Sequence, residues 1–227
     1  ANTMTKLALA GYGAARSTYE QWTVKRSVPD FKTFTGAALD RGNLVQTAEN
    51  VAFPELTKAE DGYSDQLKMW GVTVSLPFQA FVNDDLGEFM RLISQAGAIA
   101  RKTIEQQVYT EVGAATWTNH TTTTGALGTD GSLANGVAAF MNRSGVAGEK
   151  LDLEPAYLIV PVGLYESALK ITTQVQGAAE RVVNDFLTPI VTPHLTTATT
   201  AANSTYYLAA SPSVADTLIV SMLEGIE

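Results

Sequence analysis

The chain has 227 residues, of which 45% are hydrophobic and 17% are charged, a composition typical of a folded globular protein. Its net charge of −8 and the absence of any lysine or arginine after Arg181 argue against a nucleic-acid-binding surface, because neutralising phosphates requires a basic face. The chain has no cysteine, which excludes disulfide frameworks, thiol nucleophiles and thiolate metal sites. It also has no apolar run long enough to cross a membrane.

The N-terminal segment mixes basic and aromatic side chains. Residues 3–22 are compatible with a helix, which Gly11 and Gly13 weaken, and Pro29 with the polar residues after it indicates an extended arm. Two interpretations stay open: a helix that packs on its own domain, or an arm that grips a neighbouring subunit. The candidate contacts with a neighbour in this segment are Trp22, Lys25 and Arg26.

Residues 42–77 contain two strand-like ends, "NLVQTA" and "LKMWGVTVSLP", around the acidic stretch "ENVAFPELTKAEDGYSD". This stretch has no periodicity and is longer than most connections in compact domains. Three interpretations follow: a lid, a disordered insert, or a flap that is completed by another subunit. The third would stabilise the strands, because an isolated two-stranded ribbon is only marginally stable in water. The candidate inter-subunit contacts here are Glu49, Glu55, Glu60, Asp61, Asp65 and Trp70.

Residues 85–116 are predicted to form one long helix. Asp85 is a suitable N-cap, and Glu88 three residues later completes a capping-box-like pair. Ala96, Gly97, Ala98 and Ala100 allow another backbone to approach closely. On this interpretation Ile93→Asp unfolds the domain, because it places a charge on a buried stripe. Apolar residues recur at three- and four-residue steps as that continuous stripe: Leu86, Phe89, Met90, Ile93, Gly97, Ala100, Ile104 and Val108.

The rest of the chain predicts a short helix in "LANGVAAFMNRSG" and then a small α/β domain. Its elements are the buried strand "AYLIVPV", the helix "GLYESALKITTQ", and the strands "YYLAASP" and "DTLIVSMLEG".

Residues suited to chemistry are few. His120 and His194 lack metal-ligand spacing, and helix capping accounts for Asp84 and Asp85. No nucleophile elbow, phosphate-binding loop or dinucleotide fingerprint occurs. We therefore predict no enzyme activity, no cofactor, and no catalytic, cofactor-binding or metal-binding residues.

Five segments occur in an order that resembles the Mu-like major head subunit family, the major capsid proteins of tailed phages. They are "STYEQWTVKRSVPDFKTF", "KMWGVTVSLPFQAFVNDDLGEF", "YLIVPVGL", "VVNDFLTPIV" and "YYLAASPSVADTLIVSMLEG". The most specific parts are "NDDLG" opening a long helix and the downstream "YLAA" and "LEG".

The resemblance implies an α+β fold of the Hong Kong 97 capsid type. It implies an N-terminal arm at 1–39, an extended hairpin loop at 40–80, a peripheral domain at 81–153 with its spine helix at 85–116, and an axial domain at 154–227. It further implies hexamers and pentamers of identical copies in an icosahedral virion shell that encloses DNA and is assembled in the bacterial host cytoplasm. The other partners it implies are a maturation protease, scaffold, portal and decoration proteins.

Two features depart from this family pattern. Family members usually continue past "LEG", so the axial domain is expected to be incomplete at its C-terminus, and the start at Ala1 fits either maturation cleavage or a cloning boundary. Three alternatives stay open: an encapsulin-type nanocompartment shell, a hydrolase-like enzyme with residues 49–65 as a lid, and a surface adhesin.

Overall fold

A computed structural model describes residues 3–39, 47, 49, 51–52, 58–75, 78–79, 86–114, 127, 132–145, 148, 150–172, 186–195 and 205–224. The helices are α1 (Thr3–Ala14), α2 (Leu86–Gly113), α3 (Ser132–Met141) and α4 (Tyr165–Thr172). The strands are β1 (Val24–Val28), β2 (Phe34–Leu39), β3 (Lys58–Asp65), β4 (Pro155–Pro161), β5 (Thr188–Thr192), β6 (Tyr207–Ala210) and β7 (Ile219–Leu223).

A three-stranded sheet in the order β5–β4–β6 lies at the centre of the fold. Strand β4 pairs parallel with β5 and antiparallel with β6, and α4 provides the crossover that a parallel connection requires. The central strand β4 is covered on both faces, which is why it reads as an almost continuous hydrophobic run. The predicted buried strand, the helix after it and the two later strands are all confirmed.

The two faces of this sheet build two apolar clusters. Ile159 lies in one cluster with residues of the N-terminal segment and of α2. Leu158 and Val160 lie in the other cluster, with Leu133 of α3 and Ala168 of α4. Successive side chains of a strand point to opposite faces, so β4 joins both clusters. Helices and a mixed sheet around these clusters make the α+β architecture that the sequence predicts.

The N-terminal segment packs on its own chain from residue 3 to residue 28. Helix α1 ends at Ala14, a 3-10 turn follows at Tyr19–Gln21, and β1 then pairs parallel with β7, with Val24 opposite Ile219 and Val28 opposite Leu223. A single helix over residues 3–22 is therefore wrong, and residues 3–28 follow the interpretation in which the segment packs on its own domain.

Helices α1 and α2 pack closely at two glycines. A Cβ atom on Gly11 would overlap the Ser94 carbonyl oxygen, and one on Gly97 would overlap the Ala8 carbonyl oxygen. Only glycine lets the two backbones approach this closely, so the expected role of Gly97 in close packing is confirmed. The Gly11 that weakens the isolated helix is required for its packing.

Helix α2 spans 28 residues, roughly 42 Å at about 1.5 Å per residue. Of the predicted stripe, Gly97 and Val108 are buried, and Ile104 packs half-buried against the core. In the first half Met90 is 47% exposed and Ile93 is only half-buried, so the prediction of one uniformly buried stripe is wrong. Asp84 and Asp85 lie outside the described residues.

Strands β2 and β3 form a separate antiparallel ribbon, with Phe34 opposite Asp65 and Ala37 opposite Gly62. The prediction placed its strands at "NLVQTA" and "LKMWGVTVSLP"; of the first only Thr47 is described, and residues 67–75 of the second have no regular structure. Strand β3 lies instead within the acidic stretch expected to be a loop. A strand with one buried face is recognised by alternating hydrophobic and polar residues. Thr35, Ser64 and Asp65 of this ribbon are exposed, and the acidic stretch around β3 does not show that alternation.

Candidate inter-subunit surfaces

A buried polar junction ties the N-terminal segment to α2. The Thr18 amide donates to Glu105 Oε1 at 3.2 Å, the Thr18 hydroxyl donates to the same oxygen at 2.5 Å, and the Thr18 and Tyr109 hydroxyls lie 2.6 Å apart. Trp22 Nε1 lies 3.5 Å from the Tyr109 hydroxyl oxygen, to which it donates. Burial raises the pKa of Tyr109, so its hydroxyl keeps its proton. The junction holds residues 18–22 in one position on the helix.

Trp22, one of the candidate inter-subunit contacts, is buried at this junction. Trp22 is 1% exposed and lies in the core with Tyr19 and Tyr109. The sequence interpretation as an inter-subunit contact does not fit this position, because a side chain already enclosed by its own chain has no area left to bury against a neighbour.

The junction also supports a stability prediction. Glu105→Ala leaves the buried Thr18 amide without its acceptor and the Thr18 hydroxyl with only the Tyr109 hydroxyl as a partner, and we expect a loss of about 1.5–3 kcal/mol in the free energy of unfolding. Glu105→Gln retains an acceptor oxygen and is expected to lose less. Urea denaturation of both variants and the wild type measures the difference; equal losses for alanine and glutamine would contradict the hydrogen-bonding role.

The basic candidates lie beside this junction. Lys25 Nζ forms an exposed ion pair with Glu20 at 3.0 Å, and Arg26 is half-buried on the same strand. Arg101 holds Glu20 from the other side at 2.9 Å, donates to the Tyr12 carbonyl at 3.2 Å and lies over the Tyr12 ring. Lys25 is exposed and Arg26 is half-buried on β1, which is fixed in position by its pairing with β7.

The acidic candidates are distributed along the ribbon. Glu49 is exposed, Glu60 and Asp61 lie on β3 with side chains outside the described residues, and Glu55 also lies outside them. Asp65 is exposed and accepts from the Ser221 hydroxyl at 3.1 Å, which connects the ribbon to β7. The structure therefore brings Asp65, but no other described acidic candidate, into contact with the sheet that holds the N-terminal segment.

Residues 66–75, here called the apolar segment, follow the ribbon and have no regular structure. Met69 is 83% exposed, Trp70 63% and Val72 62%. Clusters of exposed large apolar side chains are typical of interaction sites. Trp70 thus keeps the position expected of an inter-subunit contact.

A second uncovered apolar surface is a groove between α4 and β5, with a volume of about 460 Å³. Sequence reasoning missed it, because it exists only once β5 lies beside β4 and α4 packs against both. Its lining contains Val162, Tyr165 and Leu169 on the α4 side, Pro189, Val191 and Pro193 on the β5 side, and Arg16.

Groups suited to catalysis do not converge among the described residues. His194 stacks on the Tyr109 ring, and its backbone amide donates to the Thr192 hydroxyl; His120 lies outside the described part of the chain. In that part no cluster of three or more histidine, aspartate or glutamate side chains has the geometry to hold a metal ion. Its helices also do not include one long and apolar enough to span a bilayer.

Comparison with known proteins agrees with an assembly function. A family model described as phage capsid protein matches residues 63–227. The fold is similar to a chain in the procapsid of bacteriophage JBD30, with a TM-score of 0.61 and 16% sequence identity over 85% of this chain and 96% of that one. The search among curated proteins finds no relative. The predicted α+β capsid fold of the Hong Kong 97 type is thus confirmed, and the chain belongs to the phage capsid protein family as a structural subunit of the virion shell.

Proposed function

We propose that copies of this chain assemble through the ribbon and the apolar segment into hexamers and pentamers, and that these close an icosahedral phage head around DNA. The observation that carries the proposal is the apolar segment, whose Met69, Trp70 and Val72 are left largely uncovered. A shell repeats each contact many times, so interfaces that are individually small become collectively stable.

The proposed roles of the segments follow the capsid pattern. Residues 40–80 act as the extended loop that lies over a neighbour, residues 81–153 with α2 as the peripheral domain, and residues 154–227 as the axial domain. Support for the loop comes from the ribbon, in which β3 of the loop pairs with β2 at the end of the proposed arm. Among the described residues these two strands join no larger sheet, so they are marginally stable alone and gain from contact with another subunit. Residues 1–39 are the proposed arm; with residues 3–28 held on their own chain, it would reach a neighbour through Lys25 and Arg26.

We further propose that the subunit acts without enzyme activity or cofactor. Assembly would take place in the bacterial host cytoplasm, with a maturation protease, scaffold, portal and decoration proteins as further partners. Membership of the capsid protein family supports these roles. No described feature favours an encapsulin shell. The lid hypothesis for residues 49–65 loses support, because residues 58–65 form a strand and the described residues within 49–65 do not line the groove.

The acidic ribbon provides a test by charge reversal. Replacing Glu55, Glu60 and Asp61 with lysine is expected to leave the subunit folded while reducing capsomer formation, because the reversed charges meet an unchanged neighbour. Circular dichroism measures folding, and size-exclusion chromatography measures assembly. A control with the same charge change replaces Glu154, Asp216 and Glu224, which are exposed and lie outside the ribbon, the proposed arm and α4. Equal assembly by the two triple variants would count against the loop assignment.

The proposed function itself is tested by expressing the full chain alone and imaging it by negative-stain microscopy, with analytical ultracentrifugation in parallel. We expect rings of five or six subunits, or closed shells. A cooperatively folded chain that sediments as a single subunit at every concentration would refute self-assembly.

A further inference from the structure

The groove between α4 and β5 has the chemistry of a site for an aromatic side chain. It offers the Tyr165 ring, two proline rings and aliphatic walls, and Arg16 is the charged residue of the lining. Aromatic rings pack well on tyrosine, and an arginine over the face of a tryptophan adds a cation–π attraction. Arg16 is exposed and forms no ion pair with the described residues, so its guanidinium is available to a ring.

The part of the chain that the structure describes leaves this groove open. Tyr165 is 52% exposed and Val162 is 58% exposed, although both line it. A groove with an uncovered aromatic and an arginine has the residue types that dominate binding energy at interfaces, where such residues tend to meet similar residues of the partner.

The same chain carries a matching side chain on a different surface. Trp70 is 63% exposed within the apolar segment, whereas Trp22 is enclosed in the core. We propose that Trp70 of one subunit inserts into the groove between α4 and β5 of a second copy, beside Arg16. This inference rests on the proposed function, since it needs identical copies held side by side.

The symmetry of such a contact fits a ring. Trp70 and the groove are different surfaces of one chain, so the contact is heterologous: each subunit donates its tryptophan to one neighbour and receives that of the other. A heterologous contact whose rotation closes generates a ring, which is the form of a capsomer. The contact would therefore both bind neighbouring subunits and give them the same head-to-tail orientation around the ring.

The chain lacks cysteine, which makes disulfide trapping selective. Met69→Cys, next to the intact Trp70, is combined in turn with Val162→Cys and Leu169→Cys on the groove wall. Under oxidation we expect a ladder of covalent multimers on a non-reducing gel, while Met69→Cys with Val214→Cys, an exposed position outside the groove, yields no ladder.

A second measurement uses the strength of assembly. Trp70→Ala is expected to raise the subunit concentration needed for assembly by about tenfold or more, and Trp70→Phe by less, because phenylalanine retains a ring. Val214→Ala is the control and is expected to leave that concentration unchanged.

The outcomes separate this contact from the proposed function. Shells that form normally in the Met69/Val162 and Met69/Leu169 variants without a ladder, or only an intramolecular bridge, would overturn the contact and leave self-assembly standing. A ladder from the Val214 control as strong as from the groove pairs would also overturn it. A full chain that never oligomerises would overturn both.

Discussion

Val108→Asp is expected to unfold the subunit, whereas Ile93→Asp on the same helix is expected to leave it folded. Val108 is 6% exposed within the core cluster that joins α2 to the N-terminal segment and the central sheet. A carboxylate there is surrounded by the apolar side chains of this cluster. A buried charge in such surroundings costs several kcal/mol, a large part of the roughly 5–15 kcal/mol that stabilises a typical domain.

Ile93 provides the matched comparison, since it is only half-buried in the first half of α2. Water reaches its surroundings, so the aspartate keeps part of its hydration, and we expect a loss of about 1 kcal/mol. Thermal melting followed by circular dichroism measures both variants. A cooperative transition of Val108→Asp at the wild-type temperature, or unfolding of both variants, would contradict the difference in burial between Val108 and Ile93.

Gly97→Ala is expected to detach or displace α1, although the same change normally stabilises a helix. The new Cβ would overlap the Ala8 carbonyl oxygen and lie 3.0 Å from the Tyr12 backbone nitrogen. Both atoms belong to the backbone of α1, so a side-chain rotation cannot relieve the clash. Overpacking of this kind costs about 1–3 kcal/mol, which outweighs the gain of about 1 kcal/mol from replacing a helical glycine by alanine.

Gly87 on the same helix is the control, because a Cβ there meets nothing within 4 Å. Gly87→Ala is expected to raise the melting temperature slightly, and Gly97→Ala to lower it and to speed proteolysis within residues 3–14. If both substitutions stabilise the protein to the same degree, the close contact between α1 and α2 does not exist in solution.

The elements with strong local signals were predictable. The long helix was predicted within a few residues at each end, because its apolar residues repeat at helical spacing. Strand β4 was predictable because a strand covered on both faces has a continuous hydrophobic run. The capsid subunit was predicted from the resemblance of five segments, in their order, to a known family.

The ribbon and the N-terminal segment contain features that the local sequence pattern does not predict. Strand β3 contains Lys58, Glu60, Asp61 and Gly62, residues that are rare in strands, and its pairing with β2 is a backbone interaction that the side-chain pattern does not report. Trp22 presents the opposite problem. Its neighbours Lys25 and Arg26 made the segment look like a surface, and only the packing of Thr18, Tyr19 and Tyr109 around it encloses the ring.

By itself the sequence determined the long helix and the α/β character of the last third, because these depend on periodicity along the chain. The capsid fold and the kind of assembly to expect came from the resemblance of its segments to a known family. Only the tertiary structure decided which apolar residues remain uncovered: Trp22 lies inside, Trp70 outside, and the groove beside Arg16 exists only after α4 and β5 meet. Burial is a property of contacts between residues far apart in the chain, and hydrophobicity alone does not distinguish a side chain that completes its own core from one left for a neighbour.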